Sequence, residues 1–268
     1  MFVNRLSLQN YRNYGTLTLD AFGAVNLIIG RNAQGKTNLL EALFVLALTK
    51  SHRTGKDKEL ISFGSDHAVV SAEVEKKYGA VQLELRLTPQ GKKAKLNGLE
   101  QRKLSDFIGA MNVVMFAPED LEIVKGTPGV RRRFLDMEIG QVQPSYLYHL
   151  QQYQKVLIQR NNLLKQAWGA GPEMTTMLDI WNEQLVEHGV KIIKKRKQFI
   201  SKLQKWAEHI HEGITGGGET LKLAYLPSFG EAEEEDEAVL LRQFYDKVIT
   251  NERSGNSPRH DALRTAPR

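Results

Sequence analysis

Apolar and polar residues alternate over residues 2–10, which predicts a β-strand with one buried face. Residues 38–48 instead carry the broad apolar face of a helix. Further apolar runs of strand length, several bounded by turn residues, lie at 16–20, 25–29, 68–74, 81–87, 92–96 and 112–116. The runs at 68–74, 81–87 and 92–96 predict an antiparallel meander. We interpret the first part of the chain as a mixed sheet around the helix, with a ligand site at the carboxyl edge of the sheet.

Helical patterns dominate the remainder of the chain. Residues 144–168 and 172–213 are two long helical stretches separated by Gly169-Ala170-Gly171, which predicts an antiparallel helical hairpin. Thr127-Pro128 is typical of a helix cap followed by the first helical residue. We also expect a short strand at 221–226 and a helix at 232–249. The chain is therefore predicted to be mixed α/β, with a mainly helical second lobe.

One motif falls between a predicted strand and the first predicted helix. Residues 30–37 read Gly-Arg-Asn-Ala-Gln-Gly-Lys-Thr and match the phosphate-loop pattern G-x-x-x-x-G-K-[ST] at every fixed position. The N–H groups of such a loop and the helix N-terminus behind it form an anion site. The candidate nucleotide-binding residues are Gly30, Arg31, Asn32, Ala33, Gln34, Gly35, Lys36 and Thr37.

Two of these residues have distinct predicted tasks. Lys36 should reach the β- and γ-phosphates of a nucleoside triphosphate, and the hydroxyl of Thr37 should ligate Mg²⁺. A glycine-rich turn that matches the pattern by chance is the alternative. The strand and helix on either side of the motif favour the nucleotide site.

Composition narrows the class of protein. The 268 residues include no cysteine, which excludes disulfides, thiolate zinc sites and cysteine nucleophiles. A net charge of +6 favours an anionic partner, first of all nucleic acid. No apolar run approaches the roughly 20 residues that span a membrane, and the N-terminus does not read as a signal peptide. We therefore predict a cytoplasmic protein without a membrane partner.

Several further segments are distinctive, the first of them Leu8-Gln9-Asn10-Tyr11-Arg12-Asn13-Tyr14. The others are Asn38 after the phosphate loop, 49–53, 116–121, 126–128 and 131–136. In order, over about residues 1–253, these segments resemble the RecF family of bacterial DNA replication and repair ATPases. The resemblance implies an ABC-type P-loop ATPase head, with ATP and Mg²⁺ as cofactors. It implies a nucleotide-binding lobe at 1–116, a helical lobe at 117–250 and a disordered tail outside the family at 251–268.

The same resemblance implies a function in DNA repair. Members of this family are weak DNA-dependent ATPases that form ATP-dependent homodimers. The expected partners are single-stranded and gapped duplex DNA, RecR and RecO. The expected outcome is RecA loading in recombinational repair and the SOS response.

Several polar residues are further candidates. By the resemblance, Arg12 approaches the nucleotide phosphates; otherwise it is a solvated turn arginine. His52 and Arg53 follow the first helix and could contact nucleotide, DNA or a second subunit. Glu119 and Asp120 could lie near Mg²⁺ or start a helix. Arg131, Arg132 and Arg133 could contact DNA or a partner, or form salt bridges to Asp136 and its neighbours. The seven basic residues between 191 and 205 form either a phosphate-binding stripe or a solvated helix face.

Two motifs that the family implies are not found. An apolar strand ending in the acidic Walker B pair is missing, and residues 214–219 look like a linker rather than an ABC signature. We expect a truncated chain, whose last residues come from a frameshift after 253. It would hold no complete catalytic set and would bind ATP without efficient hydrolysis. The alternatives are a non-catalytic nucleotide- or DNA-binding fragment and an unrelated P-loop kinase.

Overall fold

The computed structural model describes residues 1–20, 22–166, 172–227, 236–253 and 263–267. The chain divides into two compact units, Met1–Phe116 and Ala117–Arg268. The predicted fold class is confirmed: the first unit contains an antiparallel sheet and a helix, and the second is mainly helical. None of the helices among these residues has both the length and the apolar composition needed to cross a bilayer.

The first unit is built on a six-stranded sheet in the order β2-β1-β3-β4-β5-β6. Every neighbouring pair is antiparallel, so the predicted mixed sheet is wrong for the described residues. The strands are β1 (Phe2–Tyr11), β2 (Tyr14–Leu19), β3 (Ala68–Lys76), β4 (Gly79–Thr88), β5 (Gly91–Leu96) and β6 (Leu99–Glu100). The helices are α1 (Lys36–Leu48) and α2 (Leu104–Phe107), with a 3-10 turn at Asp57–Leu60.

One face of the sheet packs against α1. Alternate residues of β3 and β4 are buried, among them Val70, Leu83 and Leu85, because successive side chains of a strand point to opposite faces. Helix α1 is apolar almost all round and buries most of its side chains. The alternate burial along β3 and β4 therefore defines the face of the sheet on which α1 lies.

Two predicted strands are not strands in the structure. Residues 25–29 and 112–116 are outside the regular elements. Most of their apolar side chains are exposed: Val25 is 91% exposed and Val114 is 90% exposed, while Val113 and Met115 are half-buried. An apolar run favours extended backbone, but a strand also needs a hydrogen-bonded neighbour, and no described strand pairs with either segment.

The second unit is a helical assembly with one short strand pair. Its helices are α3 (Glu122–Lys125), α4 (Pro128–Val142), α5 (Pro144–Gln166), α6 (Pro172–Thr215) and α7 (Glu237–Arg253). Strand β7 (Leu223–Pro227) pairs antiparallel with β8 (Leu263–Pro267), and a 3-10 turn covers Pro118–Leu121. Helices α4–α7 and β7 enclose one apolar core that includes Ile139, Leu185 and Phe244. Helices α5 and α6 run antiparallel, because His149 contacts His188 while Arg160, further along α5, contacts Asn182, which comes earlier on α6.

The end of the chain differs from the expected disordered tail at 251–268. Helix α7 continues to Arg253, and residues 263–267 form β8. Residues 254–262 and 268 lie outside the described residues, as do the predicted Gly169-Ala170-Gly171 turn and the start of the helix expected at 232–249.

Candidate nucleotide-binding site

The phosphate loop ends at Gly35, the residue that caps the N-terminus of α1. Gly35 has φ 99, in the left-handed region that favours glycine. A Cβ at this position would lie 2.7 Å from Asn13 Nδ2 and 2.8 Å from the Tyr14 hydroxyl. Glycine is therefore required here both by the backbone and by the β1–β2 turn that lies against the loop.

The N-terminus of α1 is open to an anion. The first N–H groups of a helix have no intrahelical acceptor. Within the part of the chain that the structure describes, no side chain caps this end of α1, and its first turn has no acidic residue. The helix dipole adds partial positive charge at the same place. This arrangement fits the phosphate groups of a nucleotide.

Lys36 folds back over the loop in this structure. Its Nζ donates to the carbonyl oxygens of Gly30 and Arg31, at 2.7 Å each. Thr37 is exposed one residue later. The motif thus brings an ammonium group and a hydroxyl together at the open helix end, while contacts of either residue with a nucleotide or Mg²⁺ stay predictions.

Arg12 lies in the turn between β1 and β2 and has a left-handed backbone, with φ 55. Its guanidinium donates from Nε and NH2 to the two carboxylate oxygens of Glu41, at 2.9 and 2.7 Å. Its NH1 donates to the carbonyl of Glu59 at 2.8 Å. Hydrogen bonding to Glu41 raises the pKa of Arg12. Arg12 is therefore held from two sides, unlike the solvated turn arginine of the alternative interpretation, and its contact with phosphate remains a prediction.

Glu41 was not among the residues predicted from the sequence. It is fully buried on α1, and it also accepts a hydrogen bond from the Ser51 hydroxyl at 2.6 Å. Burial raises the pKa of Glu41, but hydrogen bonds from Arg12 and Ser51 outweigh burial and hold the pKa below its usual value. The sequence signal that could have indicated Glu41 is a single acidic residue within the apolar part of the predicted first helix.

A chain of amides and one arginine connects the loop to the segment after α1. Asn13 Nδ2 donates to the Gln34 carbonyl at 3.4 Å, and Asn38 Nδ2 donates to Asn13 Oδ1 at 2.8 Å. Arg53 NH1 donates to Asn38 Oδ1 at 2.9 Å and lies 3.9 Å from Glu41. The structure therefore connects Arg53 to the phosphate loop through Asn38 and Asn13. The His52 ring packs edge-on against Phe44, with centroids 5.3 Å apart.

The arginine triplet in the second unit has at least one structural role. Arg131 NH1 donates to the carbonyls of Gly126 and Ile123, at 2.9 and 3.3 Å, where α3 ends. Arg133 is exposed on α4 and Arg132 is half-buried. Their contact with DNA or a partner stays a prediction. Asp120 accepts a hydrogen bond from the backbone N–H of Ala117 at 2.7 Å, as expected of a carboxylate at a helix start.

The basic stretch between 191 and 205 is not a uniform charged face. Arg196 is only 1% exposed and is bound to Asp136 and Tyr146, so it cannot meet a phosphate outside the protein. Lys191 pairs with Glu187 at 2.8 Å. Lys202 and Lys205 are exposed. The interpretation of all seven cations as one phosphate-binding stripe is therefore wrong for Arg196.

Known proteins resemble both the sequence and the fold. The model of the RecF/RecN/SMC N terminal domain matches residues 2–121. A solved structure of the recombination mediator protein RecF-ATPrS in the RecFOR pathway superposes on 99% of this chain and 73% of its own, with a TM-score of 0.90 and 30% identity. The chain belongs to the RecF family. A structure of RecF-ATP from the same pathway matches with the same values.

Curated RecF proteins are more similar in sequence. The DNA replication and repair proteins RecF of Bacillus cereus and Bacillus anthracis are each 54% identical to this chain over 246 residues. The match covers 92% of the chain and 66% of each relative. The chain thus has the RecF-type ABC ATPase fold and spans about two thirds of the length of these RecF relatives.

Proposed function

We propose that this chain is an ATP-binding DNA replication and repair protein of the RecF type. The observation that carries the proposal is the open N-terminus of α1, where Gly35, Lys36 and Thr37 meet at an uncapped helix end. The similarity to solved RecF structures with ATP and ATPrS supports ATP as the ligand. The name of the curated relatives supports the place in replication and repair.

Mg²⁺ is part of the same proposal, with the Thr37 hydroxyl as its protein ligand. Among the described residues, no group of three or more His, Asp or Glu side chains could hold a metal ion. Mg²⁺ commonly takes few protein ligands and completes its shell with nucleotide phosphates and water. The exposed Thr37 beside Lys36 fits that mode, and Mg²⁺ there would neutralise phosphate charge.

The finer parts of the proposal rest on family resemblance. They are binding of single-stranded and gapped duplex DNA, an ATP-dependent homodimer, partnership with RecR and RecO, and RecA loading in the SOS response. The location would be the cytoplasm. Because the sequence has no recognisable Walker B strand or signature segment, we propose ATP binding without efficient hydrolysis.

ATP binding can be tested directly with a fluorescent ATP analogue and Mg²⁺. Lys36→Met should weaken binding more than tenfold, because it removes the ammonium group beside the loop. Lys77→Met, in the exposed turn between β3 and β4, is the matched control and should leave the affinity within twofold. Equal binding by the Lys36→Met variant and the parent chain would overturn the proposal.

A further inference from the structure

Glu41 is a carboxylate in a place where an apolar residue would be expected. It lies four residues after Thr37 on α1, between Leu40 and Ala42, and its side chain is 0% exposed. A buried charge is costly unless it is paired and hydrogen-bonded. Glu41 is buried away from solvent and therefore acts only through its neighbours.

Those neighbours come from two separate segments. Arg12 binds both carboxylate oxygens from the β1–β2 turn, and Ser51 binds one of them from the loop after α1. Arg53, from the same loop, brings a second guanidinium to within 3.9 Å. A bidentate arginine–carboxylate contact fixes orientation as well as distance. Glu41 thus joins both segments to the helix that carries the phosphate loop.

The β1–β2 turn and the loop after α1 are also connected to each other near the phosphate loop. Asn13, next to Arg12, contacts the Gln34 carbonyl and lies against Gly35. Asn38 bonds to both Asn13 and Arg53. Hydrogen bonds and the chain itself connect Glu41 through Arg12, Asn13 and Asn38 to Arg53, and the ion pair of Arg53 with Glu41 at 3.9 Å closes the circuit.

We propose that Glu41 is a positioning residue that holds Arg12 and Arg53 beside the phosphate loop. In this way Glu41 sets the affinity of the loop for a nucleoside triphosphate. This inference rests on the proposed ATP binding and deepens it. Without the carboxylate, Arg12 loses both side-chain acceptors. The β1–β2 turn, where Arg12 has a left-handed backbone and follows the left-handed Asn10 at the end of β1, then loses a restraint on its position against Gly35.

The first measurement needs no nucleotide. Glu41→Gln keeps the shape of the side chain and removes its charge. Hydrogen–deuterium exchange of this variant should rise in peptides covering residues 10–14 and 51–62, with β3 and β4 unchanged. The matched control is Leu85→Ala, which opens a cavity at a fully buried site in the same unit and should raise exchange in β4 instead. Unchanged exchange in both segments of Glu41→Gln would overturn the inference.

The second measurement is the affinity for a fluorescent ATP analogue at a temperature where all variants are folded. Glu41→Gln should bind at least tenfold more weakly, while Leu85→Ala should stay within twofold of the parent. An equal loss in Leu85→Ala would assign the effect to general instability and overturn the positioning role. If the parent chain binds no ATP, the proposed function fails, and the exchange experiment still decides whether Glu41 positions the two segments.

Discussion

The guanidinium of Arg196 on α6 and the carboxylate of Asp136 on α4 form an ion pair inside the second unit. The Tyr146 hydroxyl completes the cluster, because it accepts a hydrogen bond from Arg196 Nε at 2.8 Å and donates one to Asp136. The charge of Asp136 and the polarity of Tyr146 raise the pKa of Arg196 despite its burial. This cation therefore ties together three helices rather than facing solvent.

Asp136→Asn should destabilise the second unit by about 3 kcal/mol, because it leaves the buried charge of Arg196 without an opposite charge. The measurement is urea unfolding followed by tryptophan fluorescence. All three tryptophans, Trp168, Trp181 and Trp206, belong to this unit. The control is Glu187→Gln, which breaks an exposed pair with Lys191 and should cost less than about 1 kcal/mol. Similar losses in the two variants would contradict a structural role of the buried pair.

The stability of the second unit should fall as the pH drops below about 6.5, the ordinary pKa of histidine. His149 and His188 place their Nδ1 atoms 3.2 Å apart, facing Lys191, Glu187 and the Tyr148 ring. Burial, then Lys191 and His188, lowers the pKa of His149, and burial also lowers the pKa of His188. The unfolded chain then binds more protons in this range, so acid favours unfolding.

The check is thermal unfolding of the parent and of a His149→Gln, His188→Gln double variant at pH 7.5 and 5.5. The double variant should lose less stability between the two values. His209→Gln, at an exposed site on α6, should behave as the parent does. Equal pH dependence in all three proteins would exclude the histidine pair as its source.

Gly35→Ala should abolish tight binding of an ATP analogue. The new methyl group would meet Asn13 and Tyr14 well inside contact distance, and alanine is strained at φ 99 by about 1–2 kcal/mol. Gly79→Ala is matched in strain, with φ 120, but has nothing within 4 Å of the new Cβ. Both variants should lose some thermal stability, and only Gly35→Ala should lose affinity more than tenfold. A comparable loss in Gly79→Ala would show that strain alone explains it.

Arg133→Ala should weaken binding to single-stranded DNA and lower the slope of log affinity against log salt by ~1, as expected when one phosphate contact is removed. Arg133 is exposed on α4. Arg242→Ala, at an exposed site on α7, is the control for loss of one surface charge. The relevant measurement is fluorescence anisotropy over a salt series. An unchanged slope for Arg133→Ala would remove this residue from the DNA candidates.

Leu27→Lys should reduce self-association of the chain. Leu27 lies with Val25 and Ile29 in the exposed apolar segment before the phosphate loop, and such patches favour association. Light scattering coupled to size exclusion would report the change in mass. Leu99→Lys, at an exposed apolar position of β6, tests whether any added lysine has the same effect. Association that persists in Leu27→Lys would mean that another surface drives it.

Local patterns predicted most elements because strand alternation and helix periodicity are properties of neighbouring residues. The alternation over residues 2–10 gave β1, and the long helical runs gave α5 and α6 within a few residues. The prediction of a strand at residues 25–29 was wrong, because an apolar run does not supply the hydrogen-bonding neighbour that a strand needs.

The residues of the candidate site also differ in whether the local sequence identifies them. Residues 30–37 were recognisable because the shape of a triphosphate fixes their spacing. Glu41 was not recognisable, because its partners Arg12 and Ser51 lie 29 and 10 residues away in the chain. Nothing in the local sequence indicates that they meet. Arg196 shows the converse case, since its charge suggested a surface role while Asp136, 60 residues earlier, holds it inside.

The β1–β2 turn has a consequence for synthesis on the ribosome. Arg12 leaves the ribosome 50 residues ahead of Ser62, whose hydroxyl donates to the Arg12 carbonyl, and 29 residues ahead of Glu41. At roughly 5–20 residues per second, that interval is about 3–10 s. During it, the carbonyls of Asn10 and Arg12 lack the hydrogen bonds that the backbone N–H and the hydroxyl of Ser62 donate to them. The β1–β2 turn can therefore complete its contacts only after the 50 residues that follow Arg12 have been synthesised.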